Sequence, residues 1–512
     1  MSFSTVLSAA IQGLHVELVH VEADVSNGLP VFHMVGYLSS EVKEASERVR
    51  TAIRNSGIKL PAKKTVVNLA PATVRKRGAS FDLPIALAVL ASMGSFPGEQ
   101  LEDTLVLGEL GLDGSVKEVA GVLPVVMQAK EEGCRRCILP AQNVREGALV
   151  GGMEILGVEH LTQACQYLNG ECRIEAVSGR MPDEAGKEPA ECGLDYADIQ
   201  GQEAVKRATE VAVAGGHNLL LVGPPGSGKT MMAKRVPTIL PPPVLKESME
   251  ITKIYSVLGM VDKEHPLMTG RPFRSVHHTV TKAALIGGGS VPVPGEISLA
   301  HGGVLFLDEL AEFCKPVLEV LRQPLEERQI RITRSRGNYV FPADFILVCA
   351  MNPCPCGNYP DFNRCTCTPP QIQQYLGKIS QPFLDRIDIC AEAPQIRYEA
   401  LAQEKKQESS ASIRARVCRA RLVQQERYEG RGIWTNSMLG VNELREFCRL
   451  DEAEERLMRQ AFSSLGLTAR TYHKILKVAR TIADLDGSDG IREGHLKEAI
   501  GYRMIDKKYW GR

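Results

Sequence analysis

The sequence predicts an α/β fold built on a parallel sheet that binds a nucleotide, with an α+β unit before it and a helical unit after it. Three observations carry this. Four apolar residues, LLLV, run into GPPGSGKT at 223–230. A second apolar run, GVLFLDEL at 303–310, ends in two adjacent carboxylates, and a third, DFILVCAMN, ends at Asn352. Short wholly apolar runs separated by helical stretches mark strands buried on both faces.

Residues 1–168 mix strand-like runs (VHVEADV, KTVVNLAPA, DTLVLGEL) with helical stretches (SEVKEASERVRTAIRNSG, LPIALAVLASMG) and form the first unit. Residues 169–194 are polar, rich in Pro, Gly and Glu, and aperiodic, which reads as a linker. Residues 195–392 alternate strands and helices. From 393 to 512 the strands vanish, and stretches such as SSASIRARVCRARLVQQERY read as helices. The chain of 512 residues thus carries three units. It contains no apolar run of about 18 residues and no basic leader, so a cytoplasmic protein without a membrane span is expected. The formal net charge is zero, so local clusters must identify any nucleic-acid partner.

The phosphate loop comprises Gly223, Pro224, Pro225, Gly226, Ser227, Gly228, Lys229 and Thr230. Its glycines let the backbone wrap an anion, which successive amides and a helix N-terminus then attract. Lys229 reaches toward the β- and γ-phosphates of ATP, and the Thr230 hydroxyl toward Mg²⁺. Asp308 is the second magnesium candidate. Glu309 is the candidate general base, because a Glu after the Asp favours hydrolysis over simple binding. Asn352, at a strand's C-terminal end, faces the crevice where a parallel sheet holds its ligand. It is a candidate for positioning the lytic water.

Residues 354–367, CPCGNYPDFNRCTC, place two Cys-x-Cys pairs around eight residues. Cys354, Cys356, Cys365 and Cys367 can surround one tetrahedral Zn²⁺ in a structural role. Cys134 and Cys137 form another close pair with no second pair near them in sequence.

The order of phosphate loop, LFLDE, strand ending in Asn, and QPFLDRID at 381–388 resembles the magnesium-chelatase-like branch of AAA+ ATPases. Within it, the chain resembles the ComM/YifB family over essentially its whole length. The most specific segments are DIQGQEAVKRATEVAVAGGHNLLLVGPPGSGKT, HHTVTKAALIGGGSVPVPGEISLAHGGVLFLDEL and NPCPCG. The resemblance implies that Arg386 is an arginine finger completing a neighbour's ATP site, and that Arg470 is the sensor-2 arginine. Acting in trans, Arg386 implies a ring, expected to be a hexamer. The resemblance also implies a DNA translocase or helicase that drives branch migration in recombination or natural transformation. The alternative is a remodelling or chelatase-type motor whose substrate is a protein.

Two segments bear on DNA. The stretch 287–303 resembles an insertion that related enzymes point into the ring pore. RQIRITRSRGNYVFPADF fits a β-hairpin with a Gly-Asn turn, with Arg331, Arg334 and Arg336 near its tip. Taken alone, such a hairpin is usually a solvated edge strand; the resemblance favours salt-sensitive contact with single-stranded or branched DNA. IRARVCRARL is a second basic stretch and reads equally as the polar face of a helix.

Segments 75–94 and 108–133 resemble the proteolytic domain of Lon-type proteases, a ribosomal S5 domain 2-like fold that uses a Ser-Lys dyad. Ser80 falls near the nucleophile's place, but the lysine's place reads Gly121, Val122, Leu123, Pro124. A serine without its base is not a nucleophile, so a fold without peptidase activity is expected.

Overall fold

A computed structural model describes residues 3–178, 193–289, 291–334, 337–395 and 407–511. The expected linker therefore lies, over 179–192, outside the described residues. Val177–Ser178, within the stretch read as linker, pairs antiparallel with Glu154–Val158 and extends the first sheet.

That first sheet is mixed and eight-stranded. At its centre Phe3–Gln12 pairs antiparallel with His15–Ser26 through a two-residue turn. Gly13 adopts φ 71°, which such a tight turn favours. Alternation buries Val19, Val21, Ala23 and Val25 on one face. Against that face lies the helix Asp82–Ser92, which is almost wholly buried. Asp82 at its start forms a two-pronged pair with Arg48, whose Nε and Nη2 donate to the carboxylate over 2.8 and 2.9 Å.

The second sheet is five-stranded, in the order Phe273–Val276, Val304–Leu307, Ile346–Met351, Leu219–Val222, Ile389–Glu392. All its pairings are parallel. The three apolar runs read from the sequence occupy its centre, and every residue of those three strands is buried. Leu219–Val222 comes first in the chain yet lies between the fourth and fifth strands. The strand order therefore reverses beside it, and the crevice at such a reversal is where a doubly wound sheet binds its ligand.

Among the described residues no strand follows Glu392. The helices Ser410–Arg427, Ala469–Leu485 and Glu493–Trp510 pack on the ATPase-like unit and share one apolar core with it, including Val205, Val211, Val417 and Ile482. Arg416 is consumed here by Glu210 and Glu408, and Arg427 by Asp484. The basic stretch 413–422 thus spends part of its charge holding units together.

The first unit is tied to the second through helix Leu245–Val257. Glu146 accepts from the Leu123 amide over 2.9 Å and from the Ser256 hydroxyl. The Gly121 amide donates to Ser256 O over 2.8 Å.

Candidate nucleotide site and cysteine cluster

Leu219–Val222 ends at Gly223, where a Cβ would stand 2.2 Å from Ala393 O; only glycine fits that approach. Gly226 and Gly228 take φ of 73° and 85°, so the loop folds back and releases helix Lys229–Ile239. This curvature aims loop amides and the helix N-terminus at one point.

Lys229 is buried. Its ammonium donates to Gly223 O and Pro224 O over 2.8 Å each, and to Asn352 Oδ1 over 3.2 Å. Burial lowers its pKa, and Asp308 opposes that shift. Thr230 Oγ1 donates to Asp308 Oδ2 over 2.8 Å, so the two candidate magnesium ligands meet from the start of helix Lys229–Ile239 and the end of strand Val304–Leu307. Asp308 Oδ1 accepts the Glu309 amide over 2.9 Å.

Glu309 holds φ 53°, a left-handed conformation that costs a non-glycine residue about 1 kcal/mol or more. Its carboxylate is exposed and lies 3.5 Å from His278 Nδ1. His278 follows the strand Phe273–Val276, which neighbours Val304–Leu307. Sequence reasoning did not single out this histidine; its position in HHT at the head of the 277–310 segment was the available signal.

The phosphate-loop, Asp308, Glu309 and Asn352 candidates thus gather at the C-terminal ends of adjacent strands. Arg386 and Arg470 do not join them. Both line a cavity of about 540 Å³ together with Asn218, which precedes Leu219–Val222. They sit at the N-terminal ends of the strands, about 13 Å of strand away from this chain's own loop. Arg386 is nearly buried, donates to Pro382 O over 2.5 Å and is paired with Glu326. Arg470 is largely exposed, 4.0 Å from Asp385.

Cys354, Cys356, Cys365 and Cys367 converge, with all four sulfurs within 4.8 Å of one another. Three of the separations are 3.4, 3.6 and 3.8 Å. Zn–S bonds of about 2.3 Å in a tetrahedron put sulfurs about 3.8 Å apart, so the set fits that ion. The Asn358 amide draws the Cys356 thiol down, while burial pushes Cys365 and Cys367 up. The Tyr359 amide points at Cys354 Sγ over 3.4 Å. The loop also bears on the phosphate loop: a Cβ on Gly357 would lie 2.3 Å from Pro225 Cδ.

The hairpin forms from Gln329–Arg334 and Gly337–Pro342, but its turn differs from expectation. Arg334 pairs with Gly337 and Thr333 with Asn338, so Gly337 and Asn338 lie in the second strand and not in the turn. The register is fixed by Ile330, Tyr339 and Phe341, which are buried on one face. Arg331 and Arg334, three residues apart, lie on opposite faces of the ribbon. Arg331 stands 3.7 Å from Glu327; Arg336 lies outside the described residues.

In the first unit Ser80 is partly buried. Val122, Leu123 and Pro124 are buried, and Gly121 presses on Ile11, where a Cβ would stand 2.1 Å from Cδ1. Cys134 and Cys137 are buried free thiols, and Cys137 lies in the core of the first unit.

Comparison with known proteins accords with this architecture. Residues 195–401 match the family "Magnesium chelatase, subunit ChlI", residues 21–143 match "Subunit ChlI of Mg-chelatase", and residues 407–503 match its C-terminal family. The chain is 42% identical to YifB of Escherichia coli K12 over 508 residues, 99% of this chain and 98% of the relative. It is 42% identical to competence protein ComM of Haemophilus influenzae over 506 residues, again 99% and 98%. A shorter match, 34% over 111 residues, covers 22% of this chain and 23% of the DNA repair protein RadA of Escherichia coli.

Proposed function

The chain belongs to the ComM/YifB family of magnesium-chelatase-like AAA+ ATPases, and from that premise we propose that it is an ATP-hydrolysing hexameric DNA translocase that drives branch migration in the cytoplasm. The observation that carries the ATPase reading is the meeting of Lys229, Thr230, Asp308 and Asn352 beside the strand-order reversal. In this reading the loop amides and Lys229 hold the phosphates of ATP. Thr230 and Asp308 would hold Mg²⁺, which would supply positive charge to offset that of the phosphates. Glu309 accepts a proton from the attacking water, and Asn352 orients that water. Arg386 and Arg470, remote from their own loop, serve a neighbouring chain's ATP.

DNA as the partner is supported by the names of the relatives ComM and RadA and by Arg331 and Arg334 on an exposed hairpin. The four-cysteine cluster is proposed to hold structural zinc and so fix the loop that bears on Pro225. The first unit is proposed to act in assembly or partner contact and not as a peptidase, since Leu123 and its neighbours offer Ser80 no base. Casein incubated with the protein and ATP should remain intact; cleavage lost on Ser80→Ala would overturn this.

One observation favours the alternative, a motor acting on a protein. The hairpin arginines leave opposite faces, and Glu327 lies close to one of them, which weakens a concerted grip on phosphates. The deciding experiment is ATP hydrolysis with and without single-stranded and four-way-junction DNA at two salt concentrations, against Glu309→Gln. Stimulation that fades with salt supports the DNA motor. Hydrolysis indifferent to all DNA supports the protein substrate.

A further inference from the structure

Away from the phosphate loop, a cavity of about 340 Å³ opens where the ATPase unit meets the helical unit. None of residues 223–230 lines it. Its volume lies at the lower end of the range for small-molecule sites, about 300–1,000 Å³. Three guanidinium groups reach it: Arg271 and Arg328 from the ATPase unit, and Arg421 from helix Ser410–Arg427.

Two of the three are satisfied. Arg271 donates to Pro241 O, Gly302 O and Glu247. Arg328 donates to Asp344 over 2.6 Å and to Ser437 over 3.1 Å. The remaining acid of the lining, Glu250, faces His301. Arg421 differs. Its Nη2 donates to Val213 O over 2.7 Å, while its Nε is buried without a hydrogen-bond partner among the described residues. Burial and the nearby Arg271 charge bring its pKa down to about 10. Asp344 and Glu247 are nearby but pair with Arg328 and Arg271, and phosphate is an anion that the planar fork of Arg421 can take with two hydrogen bonds. Trp434 also lines the cavity and is 59% exposed. An exposed indole in the same cavity as an arginine with an unpartnered Nε offers a stacking face for a base whose phosphate the arginine holds.

We propose that this cavity binds a phosphate-bearing aromatic small molecule of the nucleotide class, with its phosphate on Arg421 and its base on Trp434, separately from the phosphate-loop site. Because the cavity's walls come from both units, such a ligand fastens one to the other.

The test uses the full chain carrying Lys229→Ala, which disables the phosphate loop. ADP and inorganic pyrophosphate are titrated by calorimetry, and ADP again by tryptophan fluorescence. The chain has only two tryptophans, so Trp434→Phe isolates the signal of Trp434. Saturable ADP binding is expected with quenching that Trp434→Phe removes. Arg421→Met should weaken both ligands by about tenfold, the worth of one charge-assisted hydrogen bond. Trp434→Ala, an exposed change that spares the fold, should weaken ADP and leave pyrophosphate unchanged. Absence of saturable binding in the Lys229→Ala chain overturns the proposal, as does ADP affinity indifferent to Trp434→Ala or, in folded protein, to Arg421→Met.

Discussion

Thr230 Oγ1 lies 2.8 Å from Asp308 Oδ2, bringing together a residue at the start of one helix and the carboxylate that ends another strand. With Lys229 poised on Asn352, binding and hydrolysis become separable by mutation. In the proposed roles, Glu309→Gln keeps every group that holds ATP and removes the proton acceptor. It should lower kcat by about 10²–10⁴-fold with nucleotide affinity retained. Lys229→Ala should instead lose tight nucleotide binding. Phosphate release and equilibrium binding of a fluorescent ATP analogue, measured side by side, check the split; equal loss of both in Glu309→Gln would sink the assignment.

His278 Nδ1 lies 3.5 Å from the Glu309 carboxylate, and a role in orienting it is testable. His278→Ala should change kcat while leaving KM for ATP within about twofold, since no phosphate-binding group moves. His278→Asn, which retains a polar group at the same place, should recover part of the difference. A variant that raises KM with kcat unchanged would show that His278 belongs to nucleotide binding.

Much of this site was legible in the sequence, and the parts that were not share a cause. GPPGSGKT, LFLDE and the strand before Asn352 are local patterns whose chemistry depends on neighbours in the chain. The edge strand Phe273–Val276 was not read because it is only partly buried and carries Arg274, which is neutralised by Glu296. The His278–Glu309 contact and the pressure of Gly357 on Pro225 are tertiary, joining segments far apart in sequence. The hairpin itself was foreseen, yet its turn was misplaced. In the observed register Ile330 pairs with Phe341 and Ile332 with Tyr339, and these apolar cross-strand contacts outweighed the turn preference of Gly-Asn.

Zinc and nucleotide should be linked through Gly357. The purified chain is expected to carry one zinc, lost on Cys354→Ser with Cys365→Ser, as read by metal analysis. Gly357→Ala places a methyl 2.3 Å from Pro225 Cδ at a φ of 80° that alanine disfavours. It should weaken ATP binding several-fold while zinc content stays at one. Full zinc with unchanged affinity would mean that the two loops touch without consequence.

His217 gives the fold a defined acid limit. Burial lowers its pKa from 6.5 to about 4. Its Nε2 meets Thr481 Oγ1 over 2.8 Å, and it stands beside the Asp388–Lys474 pair, in which Lys474 Nζ lies 2.9 Å from Asp388 Oδ1. The folded chain holds this histidine neutral, whereas the unfolded chain protonates it below about 6.5. The associated stability is therefore complete above pH 6.5 and falls as pH drops toward 4, by about 3 kcal/mol in all. Asp388 acts lower down. Burial opposes its charge, yet Lys474, His217 and the Asn218 amide hold its carboxyl at about 2. Its share is present above the unfolded value of about 4 and fades toward pH 2. Thermal melts across pH 4–7 should show a declining Tm that His217→Gln flattens. A slope unchanged by His217→Gln would place the acid sensitivity elsewhere.

Arg386 tests whether two chains build one ATP site. Its place at the N-terminal end of the strands, in one cavity with Arg470, keeps it from this chain's own phosphates. Glu326 neutralises it in the single chain, so serving a neighbour requires exchanging that carboxylate for a phosphate, a swap between two charge-assisted bonds of similar strength. Arg386→Ala should abolish hydrolysis while leaving ATP binding intact, and Glu309→Gln is inactive for a different reason. An Arg386→Ala chain retains its own Glu309, and a Glu309→Gln chain retains an arginine to lend. If the chain assembles as proposed, mixed rings contain some complete sites, and mixing the two inactive proteins should restore part of the hydrolysis. If the mixture stays as inactive as its components although mass measurements show mixed rings, Arg386 does not act across the subunit boundary and its tie to Glu326 is structural.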